Sequence, residues 1–391
     1  MTGSREFDLI VYGATGFTGR LVAEYLAERY GDGSLKWAMA GRSLTRLEEV
    51  RGELGVPADV ALLTADSGDP AALKAMAART RAVLTTVGPY QLYGSNLVAA
   101  CAATGTHYVD LCGEPAWMRH MIDAHEEEAK ASGACIVFSC GFDSIPFDLG
   151  VWIAEQAAIE RFGKPAPRVK GRIKSMKGTF SGGTAASAKA TMVAAAKDPS
   201  IGRLMLDPFA LAPGFQGAAQ PNGMLPHHDA ALNAWVAPFV MAVINTKNVH
   251  RTNLLAGHPY GTDFRYDEMM IAPGLGEIGK AAAEAMAKMN PIGGDGGPKP
   301  GEGPSREERE NGYYELLFIA EMEDGRSLTA TVKGDRDPGY GSTSKMISES
   351  ALCLIRDGAA QGGIWTAGAL MPEKLKARLE ANAGLSFSVS E

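Results

Sequence analysis

The sequence predicts an α/β protein: a Rossmann-type parallel sheet into which a second α/β domain with a mixed or antiparallel sheet is inserted. Three observations predict it. A short apolar run, residues 7–12, enters a glycine-spaced turn and then a segment whose Leu21, Val22, Tyr25 and Leu26 recur at helical spacing. Apolar runs of strand length then alternate with helical patterns as far as Ser139, the mark of successive βαβ units and a parallel sheet. Beyond them, residues 168–177 alternate basic with other side chains, which places odd and even positions on opposite faces of a separate sheet.

A chain of 391 residues exceeds a single core. The expected division is a dinucleotide-binding domain over 1–145, a substrate and dimerisation domain over 146–340, and helices over 341–391 that return to the first domain. Hydrophobic residues at 46% and charged residues at 21% indicate a large core rather than disorder. Lys and Arg total 38 against 45 Asp and Glu, a net charge of −7. No broad positive field exists to gather a phosphate backbone, so nucleic acid is excluded as a partner. The 5 cysteines form no CxxC pair, which fits a cytoplasmic protein. The charged first residues make no export signal, and the uncharged stretch 230–246 is short for a bilayer and broken by Asn233, Pro238 and Asn245.

Element by element, the first apolar run ends in Gly13-Ala14-Thr15-Gly16-Phe17-Thr18-Gly19. The first glycine permits a tight turn, the second lets the main chain approach a pyrophosphate, and the third lets helix and strand pack closely. The following helix start offers free N–H groups to the phosphates. The next run, 35–40, ends in Gly41-Arg42-Ser43, where a strict NAD binder carries an acid for the ribose hydroxyls. Arg42 with Ser43, helped by Arg46, suits a 2′-phosphate instead, so the expected cofactor is NADP, with NAD the alternative. Strand 60–64 leads to Asp66, placed near the adenine. Helix 70–78, strand 82–87, helix 94–103, strand 107–111, helix 116–131 and strand 134–139 follow. Ligands of such sheets bind at the carboxyl ends of the strands. Val87-Gly88-Pro89-Tyr90 lies at one such end and is the expected nicotinamide position, with Tyr90 or Tyr93 as proton donor and Asp143 and Glu114 lining the cleft.

These residues resemble the saccharopine dehydrogenase-like oxidoreductases, and within them the trans-acting enoyl reductase branch. The resemblance rests on the glycine turn, Ala40-Gly41-Arg42-Ser43, Val87 to Tyr90 with Gly94, Tyr108 to Glu114, Gly141 to Asp148, Ser181 to Thr184 and Asp337 to Tyr340, and it covers most of the chain. It implies a Rossmann domain closed by the C-terminal helix, an inserted second domain, NAD(P) use and hydride transfer. Gly141-Phe-Asp-Ser-Ile-Pro146 departs from the Asp-Pro-Gly of true saccharopine reductases. Between Lys177 and Lys247 the only cations are Lys189, Lys197 and Arg203, a thin supply for a polyanionic amino acid.

In the second domain a helix is expected over 146–159, the basic strand over 168–177, and an alanine-rich helix from Ser181 to about Ala196. Methionines at 205, 224, 241, 269, 270, 286 and 289 offer soft, adaptable surface for acyl chains, a core or a dimer contact. The histidines at 227, 228, 250 and 258 lack the spacing and partners of a metal site. Residues 293–304 are low in complexity and form a loop. A hairpin of strands 313–320 and 327–333 completes the second sheet before a helix over 342–355. The reading is an NADP-dependent reductase of an apolar acyl, enoyl or lipid-like substrate, a homodimer, with peripheral lipid contact through 205–245 as a further expectation. Its alternatives are a saccharopine-type imine reductase and a non-catalytic, cofactor-binding protein of a lipid surface.

Overall fold

The computed structural model describes residues 5–178, 182–289, 302–358 and 361–390, with the backbone alone at 182–185. The loop expected over 293–304 falls, for the most part, outside the described residues, as does Ser181.

The first seven elements alternate. Strand β1 (Phe7–Tyr12) leads to helix α1 (Phe17–Tyr30), β2 (Trp37–Gly41) to α2 (Leu44–Glu53), and β3 (Ala61–Thr64) to α3 (Pro70–Ala77). Strand β4 (Thr80–Thr85) leads to the short α4 (Tyr90–Tyr93) and α5 (Ser95–Thr104), β5 (His107–Val109) to α6 (Pro115–Ser132), and β6 (Cys135–Val137) to α7 (Ile145–Phe162). Leu9, Ile10, Val11, Val83 and Leu84 are fully buried, because helices cover both faces of a parallel sheet and leave no solvent side.

The second region contains β7 (Arg168–Lys177), α8 (Gly182–Lys197), α9 (Pro199–Leu206), β8 (His227–Asp229), β9 (Ala234–Pro238), α10 (Ala242–Leu255), β10 (Arg265–Ile271) and α11 (Gly276–Lys288). It continues through α12 (Arg306–Glu310), β11 (Tyr313–Glu321) and β12 (Ser327–Gly334). The chain ends with α13 (Thr343–Leu352), β13 (Gly363–Trp365), α14 (Ala367–Leu370), α15 (Pro372–Asn382) and β14 (Leu385–Ser390).

Two seven-stranded sheets result, ordered β13-β6-β5-β4-β1-β2-β3 and β14-β12-β11-β7-β10-β9-β8. Every pairing in the first is parallel. The second is mixed: β7 and β10 run parallel and the other pairs antiparallel. In the first sheet the strand order reverses between β1 and β4, so the crevice above their carboxyl ends is where a ligand fits.

The segment beyond 341 differs from the expectation that it is helical and returns wholly to the first domain. Helix α13 packs on α1 and β13 extends the first sheet beside β6, but β14 pairs with β12 in the second sheet. The strict alternation Leu385-Ser-Phe-Ser-Val-Ser390 is the physical reason, since it turns its apolar side chains to one face. From Phe209 onwards, most of the 205–245 segment also differs from a lipid-facing one. Phe209, Leu211, Val236, Phe239 and Ile244 are buried, and Leu206, Met224 and Leu225 are the large apolar side chains left exposed. No helix among the described residues is long and apolar enough to cross a membrane.

Inside the second sheet, Arg172 is fully buried between two carboxylates, with Nε 2.9 Å from Asp229 and Nη1 3.1 Å from Asp267. Asp229 is thereby held in an ion pair rather than grouped with its neighbouring histidines.

Candidate functional site

The β1–α1 turn is shaped by its glycines. Gly13 has φ +91°, and a Cβ there would lie 2.6 Å from Val87 Cγ2. A Cβ on Gly19 would lie 2.1 Å from the Gly13 carbonyl oxygen, so any side chain would push α1 off the strand. Gly16 starts α1 with no side-chain cap, leaving the first N–H groups of the helix for a ligand. A Cβ-sized cradle beside free helix N–H groups fits a pyrophosphate.

Arg42, at the end of β2, is exposed and forms no ion pair with another described residue. Ser43 caps α2, its hydroxyl accepting from Arg46 N at 3.3 Å. Arg46 is itself held by Glu49 at 2.7 Å, so the helping role expected of it is already taken. Asp66 is exposed and accepts from Gly68 N at 2.8 Å. Burial, with Asp66 nearby, pushes the Tyr12 phenol up to about 12.

Above the carboxyl ends of β1 and β4 opens a cavity of roughly 410 Å³. From the first domain come Thr18, Thr86, Gly88, Tyr90, Gly113, Glu114 and Asp143. The far wall is mostly apolar: Met176 of β7, Met192 of α8, Met205 of α9, Phe239 to Met241 after β9, and Val243 and Ile244 of α10, with Ser187 and Thr191 of α8 as its polar side chains. Pro338, Gly339, Tyr340 and Thr343 close one side. No lysine or arginine lines it among the described residues.

The structure brings Tyr90, Glu114 and Asp143 together here and leaves Tyr93 out. Tyr93 sits at the end of α4 with 44% of its surface exposed and does not line the cavity. The Tyr90 hydroxyl accepts from Leu111 N at 3.0 Å, and burial raises it well above its ordinary value. Glu114 accepts from Tyr90 N at 2.9 Å and Gln91 N at 2.8 Å, so this carboxylate is spent on fixing the start of α4. Beneath it, buried Asp110 accepts from Tyr108 Oη, Cys112 N and Ser139 N at 2.9, 3.0 and 2.9 Å, and burial raises it to about 7.

Asp143 makes no hydrogen bond to another described residue, lies partly open to the cavity, and is raised by burial to about 7. Its neighbour Ser144 has φ +131°, a strained conformation for a side-chain-bearing residue. That strain is held by a buried network. Ser144 Oγ donates to Asn245 Oδ1 at 3.1 Å and accepts from Asn248 Nδ2 at 2.7 Å. Asn245 Nδ2 and Tyr266 Oη donate to the two oxygens of Glu268, each at 2.9 Å. Burial raises Glu268 to about 8.

Reasoning from sequence missed the α10 wall and the place of Tyr340. The signal for Tyr340 was Asp337, whose carboxylate accepts from Tyr340 N at 3.0 Å and Gly341 N at 2.6 Å. This turn sets the ring edge-on to Phe17 of the glycine turn, 5.2 Å between centroids.

Comparison with known proteins agrees with this geometry. Residues 9–137 match the model of the saccharopine dehydrogenase NADP-binding domain. The chain is 39% identical over 407 residues to a trans-acting enoyl reductase of Mycobacterium tuberculosis, covering 96% of each. It is 37% identical over 406 residues to the enzyme of that name in Mycobacterium leprae, again 96% of each. Saccharopine dehydrogenase (L-Glu forming) of Saccharomyces cerevisiae shares the fold, with a TM-score of 0.54 and 11% identity over 98% of this chain and 100% of that one. A dinucleotide turn, a cavity over the parallel sheet and full-length relatives converge: the chain belongs to the saccharopine dehydrogenase-like oxidoreductases, in the branch of the trans-acting enoyl reductases.

Proposed function

We propose that the protein is an NADPH-dependent reductase of an apolar acyl substrate, reducing the double bond of an enoyl thioester or a similar lipid-like group. One observation carries this reading: the cavity beside the glycine turn is walled by methionine, phenylalanine, valine and isoleucine, with no lysine or arginine among its described lining residues. An amino-acid substrate with several carboxylates needs cations there. An acyl chain needs only apolar surface that adapts to it.

The turn from Gly13 to Gly19 holds the pyrophosphate, with Ala14, Thr15 and Phe17 shaping it. Arg42 and Ser43 take the adenosine 2′-phosphate, Asp66 stands by the adenine, and Val87, Gly88 and Pro89 back the nicotinamide. The bound dinucleotide supplies the hydride. The apolar wall orients the acyl chain and keeps water from the reacting carbons. Asp143, whose carboxyl keeps a proton near neutrality, delivers it to the carbon of the developing enolate. Tyr90, with its hydroxyl engaged by the main chain, forms the wall over which the substrate lies.

The test is loss of NADPH absorbance with trans-2-enoyl thioesters of increasing chain length, set against imines formed from oxo acids and amino acids. Turnover that rises with chain length supports the reading. Turnover confined to amino-acid imines overturns the substrate class, and failure to bind NADPH at millimolar concentration overturns the reductase.

A further inference from the structure

Helices α8 and α9 form a hairpin across the mouth of the cavity. Ser187, Thr191 and Met192 of α8 and Met205 of α9 face into it. Gln91 ties α8 to the first domain, its Nε2 donating to Thr191 Oγ1 at 3.1 Å. Helix α9 also rests against α6, yet it has no buried residue, and none of the described side chains of α8 is buried.

Its exposed surface is apolar with cations at the margins. Met192 is 55% exposed, Val193 47% and Leu206 86%. On α8, Lys189, Val193 and Lys197 stand four residues apart and share one stripe, while on α9 Arg203 lies one turn before Leu206. The acid at the bend, Asp198, is occupied in capping α9 through Ser200 N at 2.8 Å. Asp207 ends α9 beside the buried Lys247.

We propose that this hairpin seats the protein on an anionic lipid surface, from which an acyl substrate enters the cavity between Met192 and Met205. The proposal rests on the acyl-substrate reading above. Met192 is at once a wall of the cavity and an exposed side chain, so the apolar lining runs without a break to the outside. An apolar face with basic margins is the pattern of a helix lying in a membrane interface. Lysine stems can cover that face while their ammonium groups reach lipid phosphates. The chain as a whole carries a net charge of −7, so an anionic surface repels the rest of the molecule and turns this face towards itself.

The experiment compares the full chain with a Val193→Ser/Leu206→Ser variant, neither position lining the cavity. Each is sedimented with vesicles of phosphatidylcholine alone and of phosphatidylcholine with phosphatidylglycerol. The wild type is expected to pellet with the anionic vesicles, less so at high salt, and the variant to bind about tenfold more weakly. Reduction of a short, water-soluble enoyl thioester should be the same in both, and reduction of a long-chain substrate carried in vesicles should fall in the variant. No pelleting of the wild type, or equal pelleting of the variant, overturns the proposal. So does light scattering that shows a wild-type dimer made monomeric by the two substitutions, which assigns the patch to a second copy. If the short thioester is not reduced at all, the enoyl reductase reading fails, and the sedimentation still decides the surface.

Discussion

Replacing Arg42 with alanine should separate the two nicotinamide dinucleotides. In the structure its guanidinium is exposed and unpaired with any described residue, so the free protein loses no internal contact and its Tm should not move. A hydrogen bond to a charged group contributes about 1.5–3 kcal/mol, and exposure to solvent and salt puts Arg42 in the lower half of that range. About 1.5–2 kcal/mol corresponds to a roughly 10- to 30-fold weaker Kd for NADPH. Arg46, the nearest other cation on α2, is committed to Glu49, and the Ser43 hydroxyl can still donate to the phosphate but brings no positive charge. Isothermal titration of NADPH and NADH into both proteins, at low and high salt, reads the effect. NADH affinity should stay within about twofold, and the NADPH difference should shrink with salt, as expected for a surface phosphate contact. Equal weakening of both cofactors would mean that Arg42 shapes the adenosine site without reading the phosphate. An unchanged NADPH affinity would place the phosphate elsewhere and refute the reasoning.

Asp143→Asn should lower kcat by about 100-fold, the usual worth of a positioned proton donor; in the wild type kcat should fall as pH rises through about 7, where this carboxyl ionises, and the variant should lack that limb. Glu155 is raised by burial to about 8, with Oε2 accepting from Ala166 N at 2.9 Å. The folded state therefore holds a proton that the unfolded state has released, so its stability is full below the unfolded pKa and declines as pH rises towards the folded one. Glu155→Gln keeps the acceptor and should raise Tm near that upper limit by several degrees while leaving it unchanged in acid; a lower Tm at both ends would contradict this. Gly19→Ala, with its Cβ 2.1 Å from the Gly13 carbonyl oxygen, should weaken NADPH binding by more than tenfold in the same titration. Arg172→Leu should cost about 3 kcal/mol in urea denaturation, the low end for breaking a buried pair, because Lys170 and Arg168 still face Asp229 and Asp267.

The first sheet was legible because each of its central strands is buried on both faces and so reads as an unbroken apolar run. The glycine turns lie where those runs stop, and the cavity opens over them. The far wall was not legible, and α10 shows why. Asn245, Lys247, Asn248, His250, Arg251, Thr252 and Asn253 are all buried, the reverse of the pattern by which a helix face is recognised. They are tolerated inside because most of them are bonded across the fold. Arg251 donates to the carbonyls of Leu211 at 2.7 Å and Ile364 at 2.5 Å, and Asn253 Nδ2 donates to Gly261 O at 2.8 Å. Strand β10 inverts the pattern in the same way, with Asp267 and Glu268 buried. Tyr340 escaped for a different reason. It is distant in the chain from Phe17, and only the folded turn at Asp337 brings the two rings together.

This buried polar layer bears directly on Asp143. In the role proposed for it, this carboxyl is withdrawn from bulk water so as to hold a proton near neutrality, while its oxygens still face the substrate. The loop from Gly141 to Ser144 meets both demands by a backbone conformation that Ser144 does not favour, φ +131°, and such strain persists only where surrounding contacts fix it. Asn245 and Asn248, one turn apart on α10, supply those contacts. Glu268 then secures Asn245, and its own protonation near neutrality spares Asp143 a full negative charge close by. The polar interior of α10, which hid the far wall from sequence reasoning, is therefore what an otherwise apolar cavity requires in order to carry one poised acid.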